Sequence, residues 1–140
     1  MTDFGVAAEL QNSIAMCGTF VGTFKYMSPE RIRNRPYSFM SDIWSLGLVL
    51  MECATGRYPF HEHANCIEVA QTILDADIPE LPTRFSGEFR DFLKQCLHKD
   101  PEDRLPAECL FGSPWLRENG AVSPEAATAV VFNWIKSITE

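Results

Sequence analysis

The sequence predicts a mainly α-helical fold, and three observations carry the prediction. Apolar residues recur at i, i+3 and i+4 over several stretches of ten or more residues. No segment alternates apolar and polar residues long enough to read as a strand. Helix start and stop signals bound the periodic stretches, among them Ser28-Pro29-Glu30 and Gly56 followed by Pro59. There is no internal repeat, and 140 residues suffice for one domain with its own core.

Residues 6–27 carry Gly, Ser, Thr and Asn without periodicity and read as a long loop. A loop of that length in a compact fold is usually functional or disordered. Ser28-Pro29-Glu30-Arg31 then starts a helix, with a hydroxyl for the N-cap, Pro at the first position and a carboxylate at the positive dipole end. Ser41 to Thr55 forms the next helix, stopped by Gly56. Ile43, Trp44, Leu46, Leu48, Val49, Leu50, Met51 and Cys53 cover nearly its whole circumference, so it is expected to be buried on all sides. Asn65 to Asp75 places Ile67, Val69, Ala70, Ile73 and Leu74 on one face. Pro79 and Pro82 break the pattern, and Ser86 to Leu97 resumes it with Phe89, Phe92, Leu93, Cys96 and Leu97. A short helix is expected over 106–110. The last, Pro124 to Ile138, lines up Ala127, Val130, Val131, Trp134, Ile135 and Ile138. Residues 118–140 are therefore read as an amphipathic helix that packs on the helical body.

Composition narrows the function classes. Lys and Arg number 12 against 19 Asp and Glu, a formal charge of −7. Nucleic acid and anionic membrane surfaces reward a basic face and are not expected as main partners. Five widely spaced cysteines without a Cys-x-x-Cys pair resemble neither a disulfide framework nor a zinc site, which suits a reducing compartment. Cys17, in a polar loop, is the one candidate reactive thiol. His61 and His63 lack a third ligand. Residues 1–20 show no basic start with an apolar run after it, so no signal peptide is read. The longest apolar run, Leu46 to Met51, is far short of the ~18 residues of a membrane span. A cytoplasmic location is expected.

Two tripeptides stand out for chemistry. Asp3-Phe4-Gly5 offers a carboxylate that can chelate Mg²⁺ across nucleotide phosphates, an aromatic that sets its position and a glycine that permits the turn. Alone, it reads rather as a loop Asp before a glycine turn. Ser28-Pro29-Glu30 follows 25 residues after Asp3. Asp42-Ile43-Trp44-Ser45-Leu46-Gly47, Gly56-Arg57-Tyr58-Pro59-Phe60 and Asp100-Pro101-Glu102-Asp103-Arg104 complete an ordered series.

That series resembles the back half of a protein kinase domain, beginning at its Asp-Phe-Gly motif, over residues 2 to about 117. The resemblance implies a partial kinase domain over 1–117. In it, 1–30 is the activation segment and 31–117 the helical part of the C-terminal lobe. Within kinases the sequence is similar to the MAP kinase kinases. This is carried by Asp3-Phe4-Gly5-Val6 with Glu9-Leu10, by Phe20-Val21-Gly22-Thr23, by Tyr26-Met27-Ser28-Pro29-Glu30-Arg31 and by Tyr37-Ser38. NEK-type kinases, which share Tyr-Met-Ser-Pro-Glu, are the nearest competitor.

The resemblance implies roles residue by residue. Asp3 is the Mg²⁺ ligand for ATP, with Phe4 and Gly5 supporting it. Thr23 bonds the catalytic Asp and its neighbouring Lys; Val21, Gly22, Thr23 and Tyr26 form the pocket for the substrate residue after the phosphoacceptor. Thr19 and Ser13 match a pair of activating phosphorylation sites at the spacing of plant-type members. A phosphate there can order a loop against an Arg cluster, and the alternative is a pair of solvated hydroxyls. Position 15, the site of animal-type members, is Ala15, and Cys17-Gly18 departs from the usual Ala-Asn. Glu30 and Arg104 form an ion pair that pins the end of the activation segment. Asp42 accepts bonds from the catalytic-loop backbone, or is simply a first-turn Asp. Trp44 is core.

In the family the glycine-rich loop, the strand Lys, its helix Glu partner and the His-Arg-Asp loop all precede Asp-Phe-Gly. The chain as it stands is therefore expected not to transfer phosphate alone, and a truncated reading frame or internal start is expected at Met1. Neighbours of the 41–55 helix fall in that preceding part, so an apolar patch is expected to be exposed. The expected parent is an enzyme that moves the ATP γ-phosphate to Thr and Tyr of a MAP kinase, itself activated by a MAP kinase kinase kinase. The alternatives are a non-catalytic kinase-derived binding module and a NEK-like kinase lobe.

Overall fold

The computed structural model describes residues 24–60 and 66–139. These form seven α-helices and one 3₁₀ turn, with no strand among the described residues. In order they are α1 (Pro29–Ile32), α2 (Met40–Thr55), α3 (Cys66–Asp75), α4 (Gly87–Cys96), the turn Pro101–Asp103, α5 (Ala107–Phe111), α6 (Pro114–Glu118) and α7 (Pro124–Thr139).

α2 is the axis of the body. It ends where Gly56 takes φ 71° and ψ 12°, a left-handed conformation glycine adopts without a Cβ penalty, and the Gly56 N–H closes on the Glu52 carbonyl at 2.7 Å. α4 crosses it so closely that a Cβ on Gly47 would lie 2.8 Å from Leu97 Cγ and 2.9 Å from Cys96 Cβ. α4 starts at Ser86, whose hydroxyl accepts from the Phe89 N–H at 3.2 Å. α6, one and a half turns that no periodicity announces, docks on α4 through Trp115. Its ring stacks on Phe89 with centroids 4.5 Å apart and meets Phe92 at 4.8 Å. Lys99 Nζ donates to the Leu74 and Ala76 carbonyls, closing the C-terminal end of α3.

The core draws Ile43, Trp44, Leu48 and Met51 from α2, Val69, Ala70 and Ile73 from α3, and Phe92, Leu93 and Cys96 from α4, with Leu97 just beyond it. Each large side chain so buried contributes roughly 1.5–3 kcal/mol against exposure.

Two expectations about packing are corrected. α2 is not buried all round: Leu46 and Val49 are each 42% exposed and Cys53 is exposed. With Asp42 they form one stripe at i, i+4, i+7 and i+11. Leu46, Val49 and Cys53 are the apolar part of that stripe. α7 forms where its apolar stripe predicts, but no residue of it is buried, and Val130, Val131, Trp134, Ile135 and Ile138 are 44–62% exposed. The expected packing of this helix on the body is absent because no described element covers its apolar face.

Candidate functional site

A buried, hydrogen-bonded polar assembly lies where α1 meets the start of α2. Ser28 occupies the N-cap position of α1 with extended backbone, and Pro29 follows at the first helical position. The Ser28 hydroxyl does not cap the helix. It donates instead to Ser41 Oγ at 3.1 Å, and Ser41 Oγ donates to Glu30 Oε1 at 2.7 Å.

Glu30 and Arg104, 74 residues apart, meet in a two-pronged pair. Arg104 Nη1 donates to Glu30 Oε1 and Nη2 to Glu30 Oε2, both at 2.8 Å. The remaining N–H groups reach the Met40 carbonyl at 2.7 Å, His98 at 2.7 Å and Lys99 at 3.3 Å. All five guanidinium donors are used, and the guanidinium carbon lies 5.2 Å from the ring centre of Trp44, which is wholly buried. Burial pushes the Glu30 carboxyl upward, but the bonds from Arg104, Ser41 and the backbone N–H of Glu30 itself outweigh it and hold the group at about 2. The pair ties the entry to α1 to the residue that follows the 3₁₀ turn.

The residues just before it are held from a second side. Tyr26 OH donates to Glu52 Oε2 at 2.5 Å, and Ser45 Oγ donates to the Tyr26 carbonyl at 2.8 Å. Tyr58 OH donates to the Lys25 carbonyl, its ring meets Tyr26 edge-on at 5.9 Å, and Lys25 Nζ lies over it at 5.4 Å. The bond to Glu52 raises the Tyr26 phenol; burial, with Tyr26 and Glu52 beside it, raises Tyr58. Residues 24–27 close a turn through Met27 N–H to the Phe24 carbonyl at 3.1 Å.

Of the residues singled out in the sequence, the structure thus brings Glu30, Arg104 and Trp44 together and ties Tyr26 to Ser45 and Glu52 of α2. Asp42 stands exposed in the first turn of α2. Asp3, Phe4, Gly5, Ser13, Thr19, Val21, Gly22 and Thr23 lie outside the described residues, as do Cys17, His61 and His63. Sequence reasoning missed Ser41, Ser45, Glu52 and Tyr58. Glu52 carried a signal, as a carboxylate closing the longest apolar run; Ser41 and Tyr58 carried none.

Comparison with known proteins fits this frame. A model of the protein kinase domain matches residues 1–116, and the chain belongs to that family. Its relatives sharpen the class. It is 47% identical to mitogen-activated protein kinase kinase 3 of Arabidopsis thaliana over 93% of this chain, and 46% identical to the kinase kinase SIPKK of Nicotiana tabacum over 83%. The dual-specificity kinase kinase dSOR1 of Drosophila melanogaster is 38% identical over 83% of the chain. The chain is thus a partial kinase domain of the MAP kinase kinase type, spanning 25%, 34% and 35% of the lengths of these three relatives.

Proposed function

We propose that this chain is the substrate-receiving and regulated part of a MAP kinase kinase, whose full catalytic unit transfers the ATP γ-phosphate to Thr and Tyr of a MAP kinase. The observation that carries the proposal is the double anchoring of residues 24–30. The Glu30–Arg104 pair holds them from one side, and α2 with Tyr58 holds them from the other. Phosphoryl transfer depends on positioning, and a substrate platform has to be rigid.

In this reading Val21, Gly22, Thr23 and Tyr26 face the protein substrate. Ser13 and Thr19 receive phosphate from an upstream MAP kinase kinase kinase, and the protein works in the cytoplasm. Among the described residues no helix is long and apolar enough to cross a membrane. ATP and Mg²⁺ enter through Asp3. Among the described residues there is no group of three His, Cys, Asp or Glu suited to a metal.

The test joins this chain to the nucleotide-binding half of a MAP kinase kinase and measures Thr and Tyr phosphorylation of an inactive MAP kinase. The joined enzyme is expected to be active and to lose activity on Asp3→Asn, while the chain alone transfers nothing. An inactive joined enzyme, beside an active control carrying the relative's own segment, overturns the proposal. The exposed stripes of α2 and α7 favour the second reading, a non-catalytic binding module, and that outcome would select it.

A further inference from the structure

Tyr58 lies inside the motif series and the family match, but neither gives it a role. It stands in the turn after α2, 33 residues from the carbonyl it bonds, and is the only residue of that turn to reach residues 24–27 by a hydrogen bond among those described. Its hydroxyl donates to the Lys25 backbone, not to a side chain. A bond to the backbone fixes the path of the chain whatever side chain position 25 carries. The same phenol ring supports Tyr26 edge-on at 5.9 Å and Phe60 at 6.0 Å, and it lies under the Lys25 ammonium. Tyr26 in turn is fixed at both its carbonyl, by Ser45, and its hydroxyl, by Glu52. Two adjacent peptide carbonyls, those of Lys25 and Tyr26, are therefore each held by a side chain from elsewhere. With two carbonyls pinned and Met27 N–H closed on Phe24, the turn has little freedom to shift its outward face.

We propose that Tyr58 is a positioning residue for the protein substrate, setting through the Lys25 carbonyl the conformation of residues 24–27 against which the substrate chain lies. The inference rests on the reading given under Proposed function, because it takes this turn to face the substrate. Tyr58 touches neither nucleotide nor phosphoacceptor and acts only through the loop. Its loss should therefore weaken productive substrate binding and leave the chemical step alone.

The experiment has two arms, both using Tyr58→Phe, which keeps the ring and removes the single donor. In the 140-residue chain, hydrogen exchange of the Met27 amide is expected to accelerate roughly three- to tenfold, the loss of one ordinary hydrogen bond. Amides of α4, which supplies none of the hydrogen bonds that hold the turn, should exchange as before. In the joined enzyme, KM for the MAP kinase is expected to rise by a similar factor while kcat and the KM for ATP stay unchanged. Unchanged exchange at Met27 overturns the positioning role whatever the kinetics. Faster exchange with an unchanged KM for the MAP kinase overturns the link to substrate and leaves Tyr58 a structural clamp. A fall in kcat, with both KM values fixed, also overturns it. If the parent enzyme with native Tyr58 fails on every MAP kinase, the function proposed above fails, and the exchange arm still judges the clamp by itself.

Discussion

Replacing Glu30 by Gln tests the central anchor most directly. Gln keeps the volume and one acceptor but removes the charge, and it turns an N–H₂ toward one of the two Arg104 amino groups, of which Nη1 now donates to Oε1 and Nη2 to Oε2, each at 2.8 Å. Arg104 is held by three backbone carbonyls and Trp44, so the guanidinium cannot leave the core to find water. Breaking a buried pair by removing one charge costs about 3–5 kcal/mol, because the other is left uncompensated. Linkage gives an independent figure. The carboxyl sits at about 2 in the folded chain against an ordinary 4.5, which corresponds to about 3 kcal/mol of stability at neutral pH. The folded value is the depressed one, so this stability is present above about pH 4.5 and is lost as the pH falls toward 2. Urea unfolding of the native chain and of Glu30→Gln at a series of pH values measures both. At pH 7 the variant should be less stable by about 3 kcal/mol or more, a large share of the ~5–15 kcal/mol of a typical domain. The difference should shrink steadily between about pH 5 and pH 2. A cost below about 1 kcal/mol at pH 7, or a difference independent of pH, refutes the reasoning.

Other consequences can be checked with the same protein. Gly47→Ala drives a methyl into Leu97 and Cys96, and since Cys96 Cβ is fixed by its backbone, the crossing of α2 and α4 has to open. A loss of about 1–3 kcal/mol in denaturant unfolding is expected. Burial pushes the Cys96 thiol up to about 12, whereas Cys53 and Cys109 are exposed. At pH 8 a thiol reagent should label the latter two in the folded chain and reach Cys96 only on unfolding, by mass spectrometry of the modified peptides. Trp134, exposed at 61% on α7, should be quenched by an aqueous quencher while wholly buried Trp44 is protected. Equal quenching of the two in single-tryptophan variants would contradict the packing described.

How much was legible in the sequence follows from the range of each interaction. α2, α3, α4 and α7 are each ten residues or longer and repeat their apolar residues over more than two turns, and their bounds were readable to within a residue or so. α6 has five residues, too few to show a period, although Ser113-Pro114 repeats the start signal of Ser28-Pro29. The Ser28 hydroxyl was read as a cap because N-caps are local; it turned to Ser41 because a buried carboxylate chain offered a better partner. Glu30 and Arg104 lie 74 residues apart, and nothing within either segment announces the other; only the family resemblance paired them. Tyr58 and Lys25 are linked by a side chain reaching a backbone carbonyl, and no pattern of residue types encodes that.

The exposed stripes expose the limit of amphipathic reasoning. Trp44, Leu48 and Met51 cluster on one side of α2, while Leu46, Val49 and Cys53 centre on the opposite side at 100° per residue. An apolar residue in a helix states that cover is favourable; it does not say which chain supplies it. The closed side of α2 carries the Trp44–Arg104–Glu30 assembly and therefore the loop at 24–30. The open side leaves two half-covered side chains whose full burial would gain roughly 1 kcal/mol each. The anchor thus draws on only half of α2. Substitutions at Trp44 or Arg104 should disturb the loop, whereas Leu46→Ser and Val49→Ser alter what the open face can bind and leave the anchor in place.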